Sequence, residues 1–196
     1  MALRIGVLAL QGDVREHLHT LDAIGVESAE VRTPSELASV DGLILPGGES
    51  TTISKLSRIF GMFEPIQHAI ADGLPVFGTC AGLILLADRI VDGTKDQETF
   101  GGLDALVRRN AFGGQTDSFE IALEFSGIEG SNVEAAFIRA PVIEEVGPKA
   151  TVLSSLPDGR VVAIRQAKLL GISFHPEITG ETRVHEYFVR ELVEAK

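Results

Sequence analysis

The sequence predicts a three-layer α/β fold, with helices on both faces of an open sheet that is mostly parallel with added antiparallel strands. Three observations predict it. Short apolar runs alternate with helix-period segments through the first half of the chain. The second half carries closely spaced apolar runs, several joined by Gly or Pro turns. Residues able to do chemistry stand just past predicted strands, at Gln11, Gly47, Cys80 and His175. Open α/β sheets bind ligands beyond the carboxyl ends of their strands.

Arg4 to Ala9 reads as a buried parallel strand, because its apolar run is continuous rather than alternating. Asp13 to Ile24 is helical, with Val14, Leu18, Leu21 and Ile24 at helix spacing. Glu27 to Val31 and Gly42 to Leu45 are the next strands, and Pro46-Gly47-Gly48 breaks the second. Ser50 and Thr51 are placed to cap the helix that follows. Met62 to Asp72 is a further helix closed by Gly73, and Leu74 to Phe77 is the fourth strand. Strands are then expected at Leu103 to Val107, Phe119 to Phe125, Val133 to Ile138, Ala150 to Leu156, Val161 to Gln166 and Leu169 to Phe174. Asp92 to Gly101 reads as a surface loop. Glu181 to Glu194 closes the chain as an amphipathic helix, with Val184, Phe188 and Leu192 on one face.

The 196 residues suit one domain, spanning 1–196, and 44% apolar content is enough for a core. A formal charge of -11 argues against nucleic acid or an anionic membrane as partner. A single cysteine excludes an internal disulfide and a zinc–cysteine cluster, and it points to a reducing, cytoplasmic compartment. The apolar run Ile5 to Leu10 is too short for a signal peptide, and Gln11-Gly12-Asp13 follows where a cleavage site should lie. No run approaches the length of a membrane span.

That cysteine sits in Pro75-Val76-Phe77-Gly78-Thr79-Cys80-Ala81-Gly82, a short apolar run ending in Gly-x-Cys-x-Gly with a helical stretch behind it. A lone cysteine is more often a small buried hydrophobe than a nucleophile. The flanking glycines reverse that preference, because a core cysteine does not need them and a nucleophile elbow does. Helix N-terminal N–H groups can lower the thiol pKa and bind an oxyanion. Ser173-Phe174-His175-Pro176-Glu177 supplies a base and a carboxylate two residues on, which an extended backbone points the same way. Cys80, His175 and Glu177 thus fit a nucleophile, base and orienter. Pro46-Gly47-Gly48-Glu49-Ser50 lacks the lysine of a phosphate loop. An N–H of its Gly47-Gly48 pair, with that of Ala81, can instead form an oxyanion hole. His17 and His19 face different ways on their helix, and His68 and His185 read as surface residues, so no metal site is expected. Arg108 and Arg109 read as a solvated pair. Arg139, between Ile138 and Ala140, reads as a buried arginine in need of an anion.

These residues resemble the class I, triad-type glutamine amidotransferases, which have a flavodoxin-like sheet. More narrowly, the chain is similar to the glutaminase subunits of pyridoxal 5'-phosphate synthase, the SNO family. The likeness runs almost end to end. It includes Gly6-Val7-Leu8-Ala9-Leu10-Gln11-Gly12, Leu45-Pro46-Gly47-Gly48-Glu49-Ser50-Thr51-Thr52, Phe77-Gly78-Thr79-Cys80-Ala81-Gly82 and Arg109-Asn110-Ala111-Phe112-Gly113. It continues through Asp117-Ser118-Phe119-Glu120, Phe137-Ile138-Arg139-Ala140-Pro141 and Ser173-Phe174-His175-Pro176-Glu177. The resemblance implies that Cys80, His175 and Glu177 are catalytic. It also implies that Gly48, Glu49, Ser50, Arg109, Ile138 and Arg139 bind L-glutamine, and that Gln11 lies near the oxyanion region and the docking face. No cofactor is implied. The implied partner is a separate synthase subunit, in a large hetero-oligomer, which receives ammonia for pyridoxal 5'-phosphate (vitamin B6) synthesis. One departure is visible: the family often has Phe-Gly-Arg-Gln where this chain has Phe112-Gly113-Gly114-Gln115.

Rival readings make separate forecasts. A glutaminase subunit for histidine or nucleotide synthesis would be stimulated by a different synthase. A cysteine hydrolase or stress protein with no partner would need neither Arg109 nor Arg139. A non-catalytic assembly subunit would form no glutamyl adduct at Cys80.

Overall fold

The computed structural model describes residues 3–94, 96–109 and 118–195. The first half is a run of crossovers. Strand β1 (Arg4–Leu8) leads to helix α1 (Val14–Ala23), β2 (Glu27–Val31), the short α2 (Pro34–Leu37) and β3 (Gly42–Leu45). Helices α3 (Ser50–Ile59) and α4 (Phe63–Ala71) precede β4 (Val76–Thr79), which feeds α5 (Ala81–Leu86) and β5 (Ala87–Val91). The second half carries β6 (Leu103–Arg108), β7 (Ser118–Leu123), β8 (Val133–Ile138), β9 (Val142–Val146), β10 (Thr151–Ser155), β11 (Val161–Gln166) and β12 (Leu169–Ile172). Two short helices close the chain, α6 (Pro176–Thr179) and α7 (Arg183–Phe188), and Val189–Val193 continues α7 as a π-helical turn.

The main sheet has the order β2-β1-β3-β4-β12-β11-β9-β6-β5, with β10 beside β11, and β7 and β8 pair separately. From β2 to β12 every pairing is parallel, and β11 is antiparallel to β12, β9 and β10. The expected mixture of a parallel sheet with antiparallel additions is therefore present.

Strand alternation builds a core on each face. Ile5, Val7, Ile44, Phe77, Leu170 and Ile172 pack with Leu21, Val184 and Phe188 on one side. Leu8, Leu43, Leu45, Val76 and Leu169 pack with Ile53, Phe63, Ile66 and Leu83 on the other. These central strands are buried along their whole length, which explains their continuous apolar runs.

Several local expectations need correction. Glu49, not Ser50 or Thr51, caps α3: its carboxylate accepts from the N–H groups of Thr51 and Thr52. A carboxylate at a helix N-terminus also gains from the helix dipole, which outweighs the usual preference for a hydroxyl. The helix expected from Glu181 begins at Arg183. Strand β5 and helix α2 were not expected. Nor was β9, whose Glu144 and Glu145 interrupt its apolar pattern. Among the described residues, no helix is long and apolar enough to cross a membrane.

Candidate active site

Strands β1, β3, β4 and β12 are neighbours in the sheet, so the residues past their carboxyl ends gather in one place. Cys80 follows β4 at φ 47 and ψ -98, a strained backbone for a residue with a Cβ. The turn closes so tightly that a Cβ on Gly78 would lie 2.5 Å from the carbonyl of Gly82. The Cys80 N–H donates to the Ile172 carbonyl at 2.9 Å, tying the elbow to β12. The thiol-bearing residue is 7% exposed.

His175 follows β12 and is fixed by its own N–H, which donates to the Ala136 carbonyl of β8 at 2.8 Å. Its ring interacts electrostatically with the Cys80 side chain, which helps to hold the proton on it. Its Nδ1 lies 2.8 Å from Glu177 Oε1. The three residues are thus contiguous, in the order thiol, imidazole, carboxylate. Burial alone would lower the pKa of His175. The hydrogen bonds and charges of Cys80 and Glu177 outweigh that and push it up to about 11. Burial likewise opposes ionisation of Glu177, but the facing His17 and His175 hold it down at about 2. The charge and hydrogen bonding around the ring therefore favour an imidazolium at His175.

Gly47 fits because it has no side chain: a Cβ there would sit 2.3 Å from His175 Cε1. Its carbonyl accepts from the Asp13 N–H at 3.0 Å. Gln11 Oε1 accepts from the Glu49 N–H at 2.8 Å and borders Gly48. Ala81 opens α5 directly beside Cys80.

The Glu49 carboxylate is engaged on both oxygens. Oε1 accepts from Arg109 Nη2 at 2.9 Å and Oε2 from the Thr52 N–H at 2.7 Å. Partial burial raises its pKa, but hydrogen bonds from Thr52 and Thr51 leave it lowered. Neither arginine of the pair is therefore a lone solvated cation, since Arg108 is paired with Asp92 and Glu144. Gln97 links Arg109 to the loop: Oε1 accepts from Arg109 Nη1 at 2.7 Å, and Nε2 donates to Ser50 Oγ at 2.9 Å. The stretch read as a surface loop thus organises the site through Gln97, which nothing in its sequence context marked.

Ile138 ends β8, the strand that holds the His175 backbone, and Arg139 follows it. Arg139 is exposed at φ 45, not buried. Its apolar neighbours misled, because Phe137 points inward and Ile138 is itself 41% exposed. The motif residues Asn110 to Asp117, including Gly114, lie outside the described residues.

Sequence reasoning also missed Asp13 and two histidines. Asp13 Oδ2 lies 3.4 Å from His175 Nδ1, so two carboxylates flank one imidazole. Burial raises the Asp13 pKa against the attraction of His175, and the nearby Glu177 raises it further. Asp13, His175 and Glu177 come within 4.8 Å of one another, but the imidazole nitrogen is already bonded to Glu177. His185, expected at the surface, is fully buried, as is His17. Burial lowers the pKa of both, His185 to about 3.

Burial of these groups makes stability depend on pH. Groups whose folded pKa is depressed stabilise the fold above their unfolded pKa and lose that contribution as pH falls. His17, His185 and Glu177 all have this sign. His175, raised in the fold, is protonated in both states below about pH 6.5 and adds no slope there. Stability should therefore fall between about pH 6.5 and 3. In His185→Phe, the drop in urea midpoint from pH 7 to pH 5 should be smaller, as read by circular dichroism. An unchanged drop would assign the acid lability elsewhere.

A cysteine at a strained elbow thus stands beside a histidine–carboxylate pair at the carboxyl ends of neighbouring parallel strands. The chain belongs to the SNO glutamine amidotransferase family, whose profile matches residues 7–194. It is 59% identical over 186 residues to the pyridoxal 5'-phosphate synthase subunit PdxT of Leifsonia xyli subsp. xyli, covering 95% of this chain and 94% of that one. It is 58% identical over 184 residues to PdxT of Streptomyces coelicolor, covering 94% and 91%. A crystal structure of a glutamine amidotransferase superposes with a TM-score of 0.90 at 47% identity, covering 97% of this chain and 99% of that one. The structure of PurLQS from Thermotoga maritima shares the fold at 16% identity and a TM-score of 0.71, covering 98% and 100%.

Proposed function

We propose that the chain is a single glutaminase domain that hydrolyses L-glutamine to L-glutamate and ammonia. The ammonia goes to a separate synthase subunit that makes pyridoxal 5'-phosphate. The observation that carries this reading is that His175, bonded to Glu177, is held charged in part by the Cys80 side chain. Membership of the SNO family and the names of the PdxT relatives support the substrate and the partner.

The Cys80 thiolate attacks the side-chain amide carbon. N–H groups of Ala81 and the Gly47-Gly48 loop hold the oxyanion. His175 protonates the leaving ammonia, and a glutamyl thioester remains on Cys80. His175, now neutral, takes a proton from water as the water attacks the thioester. Glutamate leaves, and the thiolate–imidazolium pair is restored. Glu177 stabilises the imidazolium at both stages. Glu49, Ser50, Arg109, Ile138 and Arg139 form the glutamine pocket, with Gln97 holding Arg109 against Glu49. Gln11 sets the backbone of the oxyanion loop through the Glu49 N–H.

Ammonia released into water becomes largely ammonium, so hydrolysis without a partner wastes glutamine. The free subunit is accordingly slow, and docking completes the oxyanion loop. A cytoplasmic setting suits the lone free thiol. Glutamate release by the isolated chain should rise at least about tenfold when the pyridoxal 5'-phosphate synthase subunit is added. Stimulation by a histidine or purine synthase subunit instead would overturn the assignment. Equal rates with and without the partner would remove the gating.

A further inference from the structure

Behind the Cys80–His175–Glu177 row lies a second, fully buried pair, His17 on α1 and His185 on α7. His17 Nδ1 lies 2.9 Å from His185 Nε2. His17 Nε2 lies 3.2 Å from Thr79 Oγ1, the residue before the nucleophile, and 3.6 Å from Glu177 Oε1. The same Glu177 oxygen takes the hydrogen bond from His175. The carboxylate is therefore held between two imidazoles, one facing the thiol and one facing the core.

Hydrogen-bond accounting fixes the tautomers. If His17 Nδ1 carried the proton, His185 would carry its own on Nδ1. That atom is buried and has no hydrogen-bond partner. A buried N–H would be orphaned, and the bare Nε2 of His17 would face a carboxylate. With the reverse assignment, His185 Nε2–H donates to His17 Nδ1, and His17 Nε2–H donates to Thr79 and points its positive end at Glu177. The unpartnered atom is then only an acceptor lone pair, the less costly orphan.

We propose that His17, locked as its Nε2–H tautomer by His185, is a positioning residue that holds the Glu177 carboxylate against His175 from the core side. A neutral donor suits that task. A cation at this place would neutralise the carboxylate and compete with His175 for it. The bulk of the pair is supported by packing: the Phe77 ring meets His17 and His185 edge-on, with centroids at 6.3 Å and 5.3 Å, and Phe188 stands behind Phe77 at 5.6 Å. Thr79 joins the pair to β4, so the position of the nucleophile and that of the carboxylate are set by the same ring.

The proposal rests on the glutaminase reading, and the experiment separates the two. Long-range proton–nitrogen correlation spectra of the full chain should show His17 protonated at Nε2 only. An Nδ1–H signature would overturn the proposal whatever the variants do. Kinetics of the synthase complex, per active site titrated with a glutamine-like electrophile, should show His17→Phe lowering kcat about 10- to 100-fold. KM for glutamine should be unchanged. His17→Gln, which keeps an amide donor, should recover most of the rate. The acid limb of kcat/KM should move to higher pH in His17→Phe, because Glu177 loses a stabilising dipole and protonates more readily. The other groups facing this pair, Asp13, Glu16, His175 and His185, are the same in all three proteins. A structural role alone would lower the number of titrated sites in both variants and leave per-site kcat and the acid limb unmoved. That result overturns the proposal while leaving the glutaminase reading intact. Activity retained in Cys80→Ala would overturn both.

Discussion

Cys80→Ala should abolish glutamate release, by a factor on the order of 10⁴ or more, while the chain still folds and still docks on its synthase partner. No other group in the described site can replace the sulfur. His175 and Glu177 are positioned to move protons and stabilise charge, and a general base with no nucleophile to serve leaves little catalysis. The fold should tolerate the change, because the elbow backbone is held from outside the side chain. The Cys80 N–H is bonded to Ile172, and the turn is set by contact between Gly78 and Gly82. Removing a partner from a buried charged group usually destabilises strongly. Here His175 keeps Glu177 and Asp13 as partners, so the expected loss is about 1 kcal/mol or less. Glutamate assays of the complex, thermal melting and intact mass after a glutamine-like electrophile such as acivicin check the three parts. Cys80→Ser should fail as well, because a hydroxyl is far too weak an acid to ionise against the imidazole. Turnover in either variant would remove the nucleophile assignment.

The Cys80–His175–Glu177 row was legible in the sequence because its residues are constrained locally. Gly78 and Gly82 mark a tight turn, and Glu177 follows His175 closely. It reaches the ring from the first turn of α6, which Pro176 opens, and not along the extended backbone expected there. The strand-end rule then predicted that Gln11, Gly47, Cys80 and His175 converge, and the order β1-β3-β4-β12 brings them together. What was not legible depends on which way a side chain faces across long separations. His185 lies on a short helix whose charged neighbours suggest a surface, yet α7 packs over Phe77 and His17. His17 did leave a trace. It lies three residues after Val14 and four before Leu21, on the apolar side of α1, where a polar residue needs a buried partner. Arg139 failed in the opposite direction, since apolar neighbours in sequence say nothing of a residue that turns out of a strand end at positive φ. Gln97 left no trace, because a glutamine in a loop acquires meaning only from the arginine and serine that fold onto it.

Gly82→Ala tests whether the elbow is as tight as these contacts require. Gly82 lies inside α5 with no unusual φ, so by helix propensity alone alanine should stabilise by about 1 kcal/mol. Its Cβ, however, would stand 2.1 Å from the Leu45 carbonyl oxygen and 2.9 Å from Leu45 Cβ. Leu45 is the last residue of β3, paired in register with Gly78 on β4, so its carbonyl cannot retreat without disturbing the centre of the sheet. Overpacking against fixed backbone costs about 3 kcal/mol or more and wins over propensity. For a chain of this size that is a drop of about 6–12 °C in melting temperature. Activity should fall further than the loss of folded protein explains, because any retreat of Leu45 carries Gly47 and Gly48 away from Cys80 and His175. Gly61→Ala is the matched control. Gly61 has φ +66, and a Cβ added there would meet nothing within 4 Å, so its cost is the left-handed backbone alone, about 1–2 kcal/mol. If Gly82→Ala proved no more damaging than Gly61→Ala, the close approach of α5 to β3 would not be what aims the nucleophile.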